Sequence, residues 1–404
     1  MHPMESAALD IARKKTCGGS GVFDKPYLDA AFNGSLFFWD TCMMTPWAKY
    51  HADQVPIYPA LDNFYKVQEA DGYICREYLP DGSPIWDKNH PISVNPPILT
   101  WAELELHATR PDPERLARVY PKLAAFHRYL HKFQGDDGLY FSDAHGSGMD
   151  NLARSPKDWR PDGKGIPLNL EACDPSVRTF AASRHAERLH WTPLWNRQGR
   201  TVDFTAQMAF DAKQLARMAG LLGQDGEAAA WSREADEINA RINHFCWNAA
   251  DGFYYDLGFG RQVGRMYIGA FWTLISGAAC EPAQVKGLCD ALRDPRKFGR
   301  PVPVPSLPAD DPEYKPWGAY WRGGVWPPTN YMVLLGLREQ GQEDLARELA
   351  ARMFASVETV FRHTGTFWED YAPEFQGYGN PSRPDFCGWS ALIPIAVRRE
   401  FLDT

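Results

Sequence analysis

A short turn signal recurs along this chain, and its spacing restricts the folds open to it. Asp71-Gly72-Tyr73-Ile74-Cys75 is echoed by Asp137-Gly138-Leu139-Tyr140-Phe141 and by Asp251-Gly252-Phe253-Tyr254-Tyr255, and more loosely by Thr364-Gly365-Thr366-Phe367-Trp368. Each reads as a tight turn whose glycine takes positive φ, followed by a short extended aromatic piece. The start points lie 66, 114 and 113 residues apart. The two longer gaps are about twice 57 residues, and a unit of roughly 57–66 residues holds two helices of ordinary length with their connections. Repeats of that size call for a repeat-built architecture.

Helical periodicity fills the intervals. Phe204 to Leu222 is apolar at helical spacing and ends at Gly223, and Glu227 to Trp247 is a second helix rich in alanine and charge. Asp112 to Phe133 reads as helical, with Asp112 as N-cap and Pro113 at the first position, and Pro121 is expected to break or kink it. Asn330 to Glu339 and Gln342 to Phe361 form a further pair. No long alternating run announces a large sheet. Six such hairpins fit in 404 residues. An all-α closed ring of them, the (α/α)6 barrel, is preferred over an open solenoid, which usually shows simpler repeats and polar caps. Residues 1–404 then form a single domain. Long connections at 78–97, 143–168 and 300–328 would build one face of the ring.

Composition excludes several functions. The chain is 44% hydrophobic and 23% charged, which rules out disorder as its main state. The net charge is −8 with no basic block beyond Arg13-Lys14-Lys15, so nucleic acid is not an expected partner. No apolar run approaches the ~18–20 residues of a membrane span. Met1 to Lys15 lacks an apolar signal core, so no export is expected and the location is read as cytoplasmic. The eight cysteines (17, 42, 75, 173, 246, 280, 289 and 387) include no CxxC, and read as buried free thiols in a reducing compartment. Fifteen tryptophans are an unusual number, and flat rings with one polar edge suit a pocket that stacks on sugars, although packing alone would also account for many of them. No metal or cofactor is expected: the histidines have no ligand spacing, Gly18-Gly19-Ser20-Gly21 follows no strand, and no GxSxG elbow is present.

Carboxylates remain as the source of chemistry. Asp150 sits in the glycine-flanked loop Gly146-Ser147-Gly148-Met149-Asp150-Asn151, just after one of the aromatic turns. Glu369 follows Phe367-Trp368 in the last of them. Apolar surroundings favour the neutral form of an acid, which general acid catalysis near neutral pH requires. A surface loop acid or a helix cap would occupy the same positions.

Five segments resemble glycoside hydrolase family 63, and more distantly the family 37 trehalases: Phe37-Phe38-Trp39-Asp40-Thr41, Ser147-Gly148-Met149-Asp150-Asn151, Tyr320-Trp321-Arg322-Gly323-Gly324-Val325-Trp326-Pro327, Phe367-Trp368-Glu369-Asp370-Tyr371 and Asp385-Phe386-Cys387-Gly388-Trp389-Ser390. They occur in the family's order from residue 37 to 390. The resemblance implies an (α/α)6 barrel and an inverting α-glycosidase without a metal. It implies Asp150 as general acid and Glu369 as general base, with Glu374 and Asp370 as rivals for the base. Inverting hydrolysis sets two such carboxyls ~6.5–9.5 Å apart to admit one water. Asp40 would hydrogen-bond sugar hydroxyls beside the ring of Trp39, unless it is a helix N-cap. Trp321 and Trp326 would wall the site. Arg322 would hold a hydroxyl, orient Glu369 or form a structural ion pair. Asn95, in Asn95-Pro96-Pro97, would place a polar side chain near the sugar, and Trp389 would line the site or pack the last hairpin.

Large eukaryotic members carry an N-terminal β-sandwich without a counterpart in this sequence, so a small α-glycoside, most simply an α-glucoside, is expected. Some short relatives cleave glycosyl-glycerates, and Arg154, Arg160, Arg197 and Arg200 could grip a carboxylate, with Trp86 and Trp159 shaping the leaving-group side. Two other functions stay open. A sugar isomerase or epimerase on the same ring would use histidines such as His145 or His363 as acid and base. A non-catalytic barrel would bind a small carbohydrate and leave it intact. Oligomeric state is left open by the sequence.

Overall fold

The computed structural model describes residues 2–19, 21–30, 34–88, 93–136, 138–142, 146–154, 199–258, 261–386 and 388–403. Among these, helix dominates. The helices are α1 (Pro3–Lys14), α2 (Phe38–Ala48), α3 (Ile57–Val67), α4 (Leu99–Thr109), α5 (Pro113–Gln134), α6 (Val202–Leu221), α7 (Asp225–Phe245), α8 (Trp272–Ser276), α9 (Pro282–Arg293), α10 (Pro327–Glu339), α11 (Glu343–Thr364) and α12 (Ile393–Leu402). The described strands are two residues long, in ladders of two or three strands. No described helix is long and apolar enough to cross a membrane.

The helices sort into two layers by burial. Every residue of α2 is buried, and α6 and α10 are buried along most of their length. A helix without a wet face belongs in an interior. By contrast α5, α7 and α11 bury one stripe and expose the rest. Contacts link the inner set in series: α2 to α4, α4 to α6, α6 to α8, α8 to α10, α10 to the short turn Ser390–Leu392, and that turn back to α2. The partners α3, α5, α7 and α11 pack behind α2, α4 and α6, α6, and α10 respectively.

Local sequence explains the element boundaries. Asp112 caps α5 by accepting from the backbone N–H of Arg115 at 2.9 Å, with Pro113 at the first position. The expected break at Pro121 is absent, and α5 continues to Gln134. Pro121 and Ala117, whose carbonyl loses its partner, are both exposed, so water can take the freed hydrogen bond. All four turn glycines have positive φ, from +62° to +97°. At Gly72 close approach adds a second requirement, because a Cβ there would lie 2.2 Å from the carbonyl oxygen of Ala125 on α5. The turn at Asp251 closes the ladder of Trp247–Asn248 on Phe253–Tyr254.

The six described cysteines are free, and Cys280 is exposed rather than buried. Cys173 and Cys387 lie outside the described residues, as do Trp159, Arg160, Arg197, His145 and most of the 143–168 connection.

Candidate active site

Residues from seven separate segments converge on one cavity of about 180 Å³. It is lined by Phe37, Trp39, Asp40, Arg76, Asn95, Gly148, Asp150, Tyr320, Trp321, Glu369, Arg383, Phe386 and Trp389. Phe37 to Asp40 open α2, Asn95 precedes α4, Tyr320 and Trp321 precede α10, and Phe386 and Trp389 precede α12. The site therefore gathers residues at the N-terminal ends of inner helices, where backbone N–H groups leave partial positive charge.

Asp40 lies in the first turn of α2 but is not its cap, a position held by Phe37. It is 8% exposed, and burial pushes its carboxyl up to about 8, with the nearby Glu369 adding and Arg76 opposing. Trp39 beside it is buried, and its indole N–H has no partner among the described residues. Gly148 sits against that indole in a left-handed conformation, φ +79°. The side-chain amide of Asn95 donates to the carbonyl of Gly146 at 2.9 Å and so ties this segment to the loop carrying Asp150.

Asp150 is the more open of the two acids, with 29% of its side chain accessible and the Arg76 guanidinium 4.0 Å away. Arg76 in turn lies over the ring of Trp86, at 5.2 Å, and Trp86 donates to Glu77 at 3.2 Å. Trp86 thus supports the cavity wall through Arg76.

Glu369 is 6% exposed and held at three points. Its N–H donates to the carbonyl of Arg383 at 3.0 Å, its carbonyl accepts from the Trp389 indole at 2.9 Å, and its Oε1 accepts from the Tyr320 hydroxyl at 3.0 Å. Burial is the main force on its carboxyl and pushes it up to about 7. The Tyr320 bond and the charge of Arg383 pull the other way, and the charge of Asp150 pushes with burial.

Several expected roles are revised. Trp326 does not line the cavity: it is fully buried and stacks flat behind Trp321, centroids 3.9 Å apart and planes within 2°. Arg322 does not reach the site either, and pairs with Glu313. Glu374 is taken up by Arg300 through two contacts of 2.8 and 2.7 Å and by Tyr314, and Arg300 holds its carboxyl below the usual range. Asp370 is fully buried behind Glu369, in a cradle made by Gly318, Gly324 and Gly379. Arg154 is buried against Asp203, Tyr267 and Asp256 and does not line the cavity. Arg200 donates to the carbonyl of Gly199 and does not line the cavity. His363 lies exposed at the end of α11, and no described histidine lines the cavity. Sequence reasoning missed Arg76, Arg383, Phe37 and Phe386, and passed over Tyr320 within its own motif.

A mostly helical chain that brings three carboxyl groups and three tryptophans into one small polar cavity has the make-up of a glycoside hydrolase. Residues 56–390 match the family described as "Mannosylglycerate hydrolase MGH1-like glycoside hydrolase domain", and the chain belongs to that family, of the family 63 type. An uncharacterized protein of Borreliella burgdorferi is 23% identical over 83% of this chain, which spans 63% of that relative's length. The mannosylglycerate hydrolase of Thermus thermophilus is 28% identical over 79% of this chain and 81% of its own. A crystal structure of a family 63 mannosylglycerate hydrolase from Thermus thermophilus in complex with glucose superposes with a TM-score of 0.73 at 20% identity, covering 98% of this chain and 99% of that one.

Proposed function

We propose that this protein is an inverting, metal-independent, exo-acting α-glycoside hydrolase, an α-glucosidase acting on a small α-linked glucoside of the disaccharide or glycosyl-glycerate type. In this reading residues 1–404 form one (α/α)6 domain, and the serial contacts of the inner helices that return to α2 support a closed ring. One observation carries the functional reading: Asp150 and Glu369, far apart in sequence, line the same cavity together with Trp39 and Trp321.

Asp150 donates its proton to the glycosidic oxygen as the bond from that oxygen to the anomeric carbon breaks. Glu369 takes a proton from the water that attacks the anomeric carbon from the opposite face, so an α-linked substrate gives a β-configured sugar. The environment of Glu369 fits its role, since its carboxyl sits near the pH at which a base works most efficiently; the role given to Asp150 rests on its place in the same cavity. Trp39 and Trp321 would stack on the sugar and Asp40 and Asn95 would meet its hydroxyls, with Trp389 closing the wall. The cavity is below the ~300–1,000 Å³ of sites for drug-sized ligands, which suits a single terminal ring. Arg76 and Arg383 face the same space and suit a leaving group that carries a carboxylate. Free thiols at the six described cysteines suit a cytoplasmic setting.

The test is a screen of α-linked disaccharides, mannosylglycerate and glucosylglycerate for released sugar, with NMR of the anomeric proton at first turnover. A released β-anomer supports the mechanism, and an α-anomer or no cleavage of any α-glycoside refutes it. A glycosyl fluoride separates the two roles, because fluoride leaves without protonation. Asp150→Asn should still cleave it, whereas Glu369→Gln should not.

A further inference from the structure

The loop that carries Asp150 is tied to Glu369 by a route that bypasses direct contact. Asn151, the next residue, uses both ends of its amide on one stretch of backbone: Nδ2 donates to the carbonyl of Ala319 at 3.2 Å, and Oδ1 accepts from the N–H of Trp321 at 2.8 Å. Between those two anchors the chain is left-handed, with φ +42° at Ala319 and +65° at Tyr320. Residues with a Cβ occupy that region only when their surroundings impose it. The carbonyl of Tyr320 accepts from the N–H of Gly324 at 3.0 Å and more weakly from the Trp326 indole at 3.4 Å. The Tyr320 ring stands edge-on to Trp326, centroids 4.8 Å apart. The turn aims the Tyr320 hydroxyl at the cavity, where it donates to Glu369 Oε1 at 3.0 Å.

We propose that Asn151 and Tyr320 are positioning residues: Asn151 clamps the left-handed turn at Ala319–Tyr320, and that turn delivers the hydroxyl that orients the Glu369 carboxylate and favours its ionised form. This deepens the assignment of Glu369 as general base and rests on it. Asparagine suits the clamp because one end must donate and the other accept, a pairing that aspartate and leucine both lack. Tyrosine suits the delivery because its hydroxyl can donate to a carboxylate, and burial holds that hydroxyl in its protonated form. The other charged groups around Glu369 are Asp150 on the glycine loop, Asp40 and Arg76 across the cavity, Arg383 on the segment before α12, and Asp370 behind it. The tyrosine bond acts against the burial and the like charges in that set.

The experiment has an arm that needs no substrate. In protein carrying ¹³C-labelled glutamate, the Glu369 carboxyl signal, identified by its loss in Glu369→Gln, is titrated in wild type, Tyr320→Phe, Asn151→Ala and the double variant. Loss of one hydrogen bond to a charged group should move the midpoint up by about one pH unit in Tyr320→Phe. Asn151→Ala should move it the same way by less, and the double variant no further than Tyr320→Phe alone. In the second arm, α-glucosyl fluoride hydrolysis should show the same upward movement of its acidic limb, with kcat falling more than KM. An unmoved midpoint in Tyr320→Phe overturns the proposal, as do additive effects in the double variant. Should Asn151→Ala not fold, Tyr320→Phe decides the matter alone. Persistent turnover in Glu369→Gln would instead refute the base assignment, and the titration arm still reads the relay.

Discussion

Replacing Glu369 by glutamine should remove activity and at the same time stabilise the fold at alkaline pH. The carboxyl moves from an ordinary 4.5 to about 7 on folding, mainly through burial. Below pH 4.5 the group is neutral in both states and costs nothing. As pH rises through 4.5 the unfolded chain ionises while the folded one does not, so stability is lost until the folded group also ionises near 7. Above that the loss is constant, at about 3 kcal/mol. Glutamine has the same shape, keeps an oxygen to accept from Tyr320, and carries no charge to desolvate. It also relieves Asp40, whose carboxyl the Glu369 charge pushes up. At ~2.1 cal/mol/K per residue, 404 residues give an unfolding entropy of about 0.85 kcal/mol/K, so the gain corresponds to about 4 °C in Tm at pH 8–9. By pH 5 most of it should be gone. Differential scanning calorimetry of both proteins from pH 5 to 9 measures this. A Tm difference that is negative at pH 9, or independent of pH, would refute the claim that the buried charge of Glu369 is held at the expense of the fold.

Three further outcomes follow from other contacts. His127 is fully buried between Asp211 (2.7 Å) and Glu234 (3.0 Å), and although desolvation opposes it, the hydrogen bonds it donates to both carboxylates push it up to about 9. Its contribution is therefore present below pH 6.5 and lost as pH rises through 9; burial also lifts Asp211, which offsets part of it, so His127→Gln should cost roughly 2 kcal/mol at pH 6 and less at pH 9.5 by urea titration. A Cβ at Gly379 would stand 1.5 Å from Oδ1 of Asp370, so Gly379→Ala should displace the segment holding Glu369, lower kcat and cost about 1–3 kcal/mol, and removing the clash with Asp370→Ala should recover part of both. Trp39→Phe keeps the ring face but loses an N–H that has no partner among the described residues, so KM should rise by up to about tenfold with little change in Tm.

The helices were legible because their periodicity is local. Both α6 and α7 begin two residues before their predicted starts, a difference of the size expected from end fraying. Pro121 misled because the cost of a proline depends on whether the carbonyl it frees can reach water, and that is a property of the surface, not of the residue. The positive-φ turns were legible for the same reason as the helices: the glycine and its neighbours settle them.

The site divides along a different line. Trp39, Asp40, Asn95, Asp150, Trp321, Glu369 and Trp389 stand in recognisable motifs and all line the cavity. Within one motif, however, Tyr320 reaches the cavity and Arg322 does not. The backbone is left-handed at 319 and 320, with Gly323 at φ +130°, so the chain reverses within a few residues and neighbouring side chains diverge. What imposes that reversal is Asn151, about 170 residues earlier in the chain. Arg76, Arg383 and the unsuitability of Glu374 are of the same kind: each depends on which charge a distant segment brings alongside. Residue type marks which groups can take or give a proton. Whether a given carboxyl is buried and bare like Asp370, salt-bridged like Glu374, or buried with one donor aimed at it like Glu369 is decided by contacts across more than a hundred residues of sequence or by a few ångströms of loop. A motif can carry titratable side chains forward, but the environment that tunes one of them near neutral pH is assembled only when the fold closes.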